Sequence, residues 1–158
     1  MKEPTAWKLA STPQGQKSLF PEASLVNDLA FNYNKSHIAW YNINTSFYQR
    51  SSPVSGSIQS EQFSRTVYQS NLFPNRDVST YEDVPMTLLN IAYYPYERGQ
   101  NNYDTKGKAG ISAGLTPSGQ LAKPESRWGG IMQSLTTTDF EESNIEYIEF
   151  WMMDPFVT

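Results

Sequence analysis

HIAWYNINTSFY, His37 to Tyr48, is the stretch that decides the fold class. It concentrates aromatic and β-branched side chains, which suit a pleated, half-buried surface better than a helix. Trp40 and Ile43 fall on opposite faces of any strand drawn through it, so the expected strand breaks near Asn42 or Asn44. Working outward, TLLNIAYY at Thr87 to Tyr94 is a compact apolar run between Pro85 and Pro95, short enough to be a buried strand. IEYIEFWMM at Ile145 to Met153 sets Ile148, Phe150 and Met152 on one face. Ile145, Tyr147, Trp151 and Met153 share the other, and Glu146 and Glu149 interrupt one face each. A strand apolar on both faces predicts an interior position, with Phe150 and Trp151 in the core.

One short helix is expected over about residues 60–70, SEQFSRTVYQS. Ser60 can cap it, Glu61 suits the positive end of its dipole, and Phe63 and Val67 stand one turn apart. It must stop before Phe73 and Pro74, because a proline ring disfavours helical geometry in the preceding residue. Residues 1–34, with Pro4, Pro13, Gly15 and Pro21 among short polar runs, read as an irregular lead-in. Residues 35–158 then form a single β-rich domain. Glu97 to Ser126 is punctuated by Gly99, Gly107, Gly110, Gly114, Pro117, Gly119 and Pro124, and predicts a hairpin or a mobile excursion. The expected fold is mostly β: a jelly-roll-like β-sandwich with one short helix, as part of a larger β-rich protein.

Composition removes several functional classes. The 158 residues carry a formal net charge of −4 with Lys and Arg scattered, so nucleic acid and anionic membranes find no basic stripe. Zero cysteines exclude a disulfide framework, a thiolate zinc site and a cysteine nucleophile. The start, MKEPTAWKLASTPQGQ, lacks the apolar core of a signal peptide, and no run long enough for a transmembrane helix occurs. Aromatic residues make up 14% of the chain, with Tyr outnumbering Phe and Trp, which again favours pleated structure.

Candidate chemistry is thin, and no cofactor is expected. Asp139, Glu141, Glu142, Glu146, Glu149 and Asp154 contain the residue type of a glycosidase pair, which needs one protonated and one ionised carboxyl across a sugar. Thr138 and Glu141, however, fit a capping box, and Glu146 and Glu149 fall on opposite faces of one strand, so they cannot converge. His37, the single histidine, excludes a paired-histidine metal site and reads as a polar residue at a strand entrance. Asn101, Asn102 and Asp104 lack the alternating ligands and closing Glu of a calcium loop, and Lys106 and Lys108 bring positive charge to it. Gly129 and Gly130 suggest a bulge or tight bend. The Trp and Tyr clusters also suit stacking on sugar rings, but most lie inside apolar runs, where core packing explains them.

Four ordered blocks resemble the SprA/Sov family, the giant outer-membrane translocons of type IX secretion and gliding motility. They are HIAWYNINTSFYQR at 37–50, LFPNRDV at 72–78, LNIAYYPYERGQNNYD at 89–104, and Arg127 to Phe156. RWGGIM, IEYIEFWMMDPF and ERG followed by NYD are the most specific. One departure is Gln100, where the family usually has proline after the glycine of ERG. The resemblance implies a non-enzymatic segment of a protein-export channel in the outer membrane or at the cell surface, within a longer exported chain that carries the signal sequence. Its implied partners are other segments of the parent chain, secreted cargo protein and accessory subunits. The motif positions carried over, all structural, are Trp40, Tyr41, Pro74, Asn75, Glu97, Arg98, Gly99, Arg127, Trp128, Gly129, Gly130, Phe150, Trp151, Asp154 and Pro155. The alternative is a carbohydrate-binding β-sandwich of a secreted or surface protein, since WGG followed by an acidic turn and an aromatic strand is also similar to sugar-binding jelly rolls.

Overall fold

The computed structural model describes residues 3–77, 79, 83–135, 137 and 139–154. The molecule is mostly non-helical, built on two small antiparallel ribbons. Strand β1 (Lys8–Leu9) pairs with β4 (Ile131–Met132), and β2 (Ser36–Tyr41) pairs with β3 (Asn90–Arg98). The strand expected at His37 to Tyr48 forms as β2 and ends at Tyr41. Asn44 then caps a 3-10 turn over Thr45–Tyr48, its side chain accepting from the Ser46 amide at 2.9 Å.

Strand β3 begins at Asn90 and runs through Pro95 rather than stopping before it. Ser36 pairs with Arg98 and His37 with Tyr94, so Pro95, Tyr96 and Glu97 are looped out of register. Proline has no amide hydrogen for the ladder, and a bulge is the place in a strand that does not need one. On one face of the ribbon the pairs Ile38–Tyr93 and Trp40–Ile91 line up. That face is crossed by the chain at Gly129, where a Cβ would lie 3.0 Å from the Tyr93 ring and 3.2 Å from the Ile38 Cβ. The glycine pair is therefore a close crossing of backbone over side chains, and neither Gly129 nor Gly130 has a positive φ. The Trp40 indole reaches the Pro4 carbonyl at 2.9 Å, tying the N-terminal residues over the same face.

Two expectations are corrected. No helix spans residues 60–70; α1 (Gly56–Gln59) is a single turn before that stretch and α2 (Gln69–Leu72) a single turn that begins at its end. Two apolar residues one turn apart are too little burial to outweigh the nucleation cost of an isolated helix. Nor is Ile145 to Met153 an interior strand: it holds no assigned secondary structure, and Phe150 and Trp151 are 78% and 68% exposed. The side chains of this segment are exposed, and Trp151 meets Phe73 edge to face with ring centres 5.5 Å apart.

The segment read as an irregular lead-in is built largely of 3-10 turns, at Pro4–Ala6, Pro21–Ser24 and Leu29–Asn32. It also supplies β1 and the buried Thr12, Glu22, Ala23, Ala30 and Asn34. The stretch Glu97 to Ser126 folds into two tight reversals, bridged at Lys108–Ser112 and Leu115–Leu121. Thr138 of the expected capping box lies outside the described residues; beside it, Asp139 accepts from the Glu142 amide at 2.9 Å.

Apolar burial is small. Among the described residues only Ala23, Ala30 and Leu121 are buried apolar side chains, against seven buried polar or charged ones. The accessible surface is 12083 Å². Size scaling gives about 8,000 Å² for a folded monomer of this mass. Among the described residues no helix is long and apolar enough to cross a membrane.

Candidate functional site

The buried polar residues converge on one place, between the lead-in, the start of β2 and the loop after β3. Arg127 is its centre, with a side chain that is fully buried. Its Nε and Nη2 donate to the Ala122 carbonyl at 2.9 and 2.8 Å, and Nη2 also donates to the Gly114 carbonyl at 3.0 Å. Nη1 donates to the Tyr33 carbonyl at 2.7 Å and to Asn34 Oδ1 at 3.4 Å, and lies 3.5 Å from Asp104 Oδ2. A planar fork of five N–H donors suits this task, because one side chain satisfies the Tyr33 carbonyl and the carbonyls at both ends of the 114–122 reversal.

Asp104 belongs to the same knot. Its Oδ1 accepts from the Gly107 amide at 2.9 Å, while Oδ2 has no hydrogen-bond partner among the described residues and faces the Arg127 guanidinium. Asn102 donates to the Tyr33 and Lys35 carbonyls at 2.9 and 2.6 Å, and its Oδ1 accepts from the Asp104 amide at 2.9 Å. Asn101 provides the left-handed turn into this segment, with φ of 63°. Asn102 and Asp104 are thus loop-fixing residues, Asn102 committed to backbone and Asp104 to backbone and to Arg127.

Glu22 is buried beside them. Its Oε1 accepts from the Trp128 indole at 2.8 Å and its Oε2 from Asn34 Nδ2 at 2.9 Å. Lys35 Nζ lies 5.5 Å from the centre of the Trp128 ring. Burial pushes the Lys35 ammonium below its usual range, and the negative charge of Glu22 partly opposes that shift. The Trp128 and Asn34–Ser36 backbones exchange hydrogen bonds of 3.0 and 2.8 Å, seating the RW pair alongside β2. Gly99 closes the other side: a Cβ there would lie 2.5 Å from the Ser36 carbonyl oxygen. Its amide donates to the Lys35 carbonyl at 3.1 Å.

The structure therefore brings Gly99, Arg127 and Trp128 of the sequence-predicted set together, and adds Gly129 and Gly130 at the ribbon crossing. Trp40 and Tyr41 lie on β2, and Glu97 and Arg98 are exposed at the end of β3. Glu97 Oε2 sits 3.1 Å from His37 Nδ1, both groups being solvent-exposed. Pro74 and Asn75 form an exposed turn after α2, and Phe150, Trp151 and Asp154 stand apart on the exposed segment. Pro155 lies outside the described residues. Glu22 and Asn34 were not legible as site residues. Glu22 is 106 positions from its Trp128 partner, and no local pattern announces such a pairing.

The arrangement holds loops together through buried hydrogen bonds and charge. The acidic residues from Asp139 to Asp154 are spread along an exposed segment, and His37 pairs with Glu97 at 3.1 Å. The shallow groove of about 350 Å³ beside the site is walled by Ile38, Ile91, Tyr93 and Trp128, with Arg127, already bonded to loop carbonyls, also in its lining. No protein-family model matches the chain, and no curated protein is similar to it.

Proposed function

We propose that this chain is a non-enzymatic segment of an outer-membrane protein-export translocon of the SprA/Sov type, serving type IX secretion and gliding motility at the cell surface. The observation that supports it most is the mismatch between polar and apolar packing. A knot of buried charges fixes the loops, while accessible surface exceeds that of a self-contained monomer of this size by roughly half. A chain that leaves so much apolar surface uncovered is suited to being one layer of something larger. In that setting, strands from flanking segments of the parent chain complete a jelly-roll-like sandwich around the two ribbons, and cargo and accessory subunits meet the assembled surface. The ERG, NYD and RWGG blocks are consistent with this reading, because each sends residues to the knot around Arg127: Gly99, then Asn102 and Asp104, then Arg127 and Trp128.

The test is the size and location of the native polypeptide. An antibody raised against this chain should detect an outer-membrane protein of thousands of residues in cells that use type IX secretion, and secreted cargo should fall when that gene is deleted. A single secreted species near 18.0 kDa would overturn the assignment. The carbohydrate-binding reading draws on one observation, the exposed Tyr147 and Trp151 rings. A glycan array on which binding disappears in Trp151→Ala would select it instead.

A further inference from the structure

We infer that the segment Ile145 to Met153 is a self-complementary β-strand donor, and that two copies of this chain associate by pairing it antiparallel about a two-fold axis at Glu149. Three observations carry this. The backbone of Glu146 to Met153 makes no backbone hydrogen bond with any described residue, so its amides and carbonyls are free for a ladder. Its side chains are exposed: Tyr147 74%, Ile148 69%, Phe150 78%, Trp151 68% and Met152 76%. The sequence also matches itself when reversed. About Glu149, Tyr147 meets Trp151 twice on one face, and Ile148 meets Phe150 twice on the other.

Cross-strand aromatic pairs are the favoured units of an antiparallel ladder, and an isologous two-fold contact needs such self-complementarity. At about 150–250 Å² for each fully covered aromatic, Tyr147, Phe150 and Trp151 leave on the order of 400 Å² per copy. Edge-to-edge pairing covers only part of that area, because both faces of a two-stranded ribbon stay open, so the backbone ladder and the cross-strand aromatic pairs carry the contact. The mismatches are Glu146 opposite Met152, which occurs twice, and Glu149 facing its own symmetry mate. That like-charge pair weakens the contact, and added salt relieves it. The inference does not depend on the export reading, since it concerns what the chain does by itself in solution.

Because the chain has no cysteine, single thiols report the register directly. Glu149→Cys places two sulfurs across the axis, within the reach of a disulfide. Glu146→Cys places them about 20 Å apart along the ladder. Mild oxidation of the full chain at tens of micromolar should cross-link Glu149→Cys at least tenfold faster than Glu146→Cys. Sedimentation equilibrium should show a dimer that strengthens with salt and tightens about two- to five-fold in Glu149→Gln. Equal cross-linking at the two positions would overturn the register, as it would if the segment added instead to the open edge of β2 or β3. A wild-type chain that stays monomeric at 100-fold higher dilution and at the highest soluble concentration alike would overturn the association itself.

Discussion

Replacing Arg127 by alanine should unfold the loop knot, because it removes five hydrogen bonds to four residues from one fully buried group. The carbonyls of Tyr33, Gly114 and Ala122 would lose a charged donor, and Asp104 Oδ2 would keep its burial without the guanidinium beside it. Breaking a buried ion pair by removing one partner costs about 3–5 kcal/mol. A domain has about 5–15 kcal/mol in total, so the loss is a large fraction of stability. Arg127→Lys should recover only part, since a single ammonium cannot bridge carbonyls that a planar fork reaches at once. In Arg127→Met with Asp104→Leu the two costs should fall short of their sum by about 0.5–3 kcal/mol, as expected for residues in contact. Urea unfolding followed by tryptophan fluorescence measures all of these. An Arg127→Ala cost below about 1 kcal/mol would refute the view that this knot holds the fold.

Trp151→Ala should change stability by no more than about 0.5 kcal/mol, the usual range for an exposed side chain away from special features; a thermal melt checks it. Gly99→Ala should cost about 1–3 kcal/mol, because the new methyl meets the Ser36 carbonyl and the backbone there cannot give way without breaking the pairing to Lys35. Lys35 gives a pH prediction. Its native pKa lies below 10.5 through burial, so between the two values the unfolded chain holds the extra proton. Stability from this group should therefore rise with pH over that window, and Lys35→Met should flatten the rise in unfolding measurements across alkaline pH.

Short-range chemistry was legible and long-range polar chemistry was not. The β-branched and aromatic run at His37 gave a strand, and Asn44 marked its end, because both are decided within a few residues. Pro95 was read as a boundary because it cannot donate to a ladder, yet the register shift opposite Ser36 and His37 provides a place where no donation is needed. The helix expected at residues 60–70 rested on one apolar pair, too little to decide against turns. Arg127 and Trp128 stood out as a motif, but their partners Glu22, Asn34 and Asp104 come from distant loops, and each is an unremarkable polar residue in its own neighbourhood.

Ile145 to Met153 shows why periodicity locates apolar faces without saying what covers them. Alternation fixes which side chains would share a face of an extended chain, Tyr147 with Trp151 and Ile148 with Phe150. Burial, by contrast, depends on a partner surface, and in this chain the three buried apolar residues among those described are all elsewhere, at Ala23, Ala30 and Leu121. An edge with free amides and two apolar faces is unstable toward association, so selection would ordinarily blunt it with charge or proline. Glu146 and Glu149 are the only charges within it, one on each face, which leaves aromatic pairs free to form on either side. The segment is thus patterned as the proposed ladder requires, with its aromatic side chains exposed and only two charges among its nine residues.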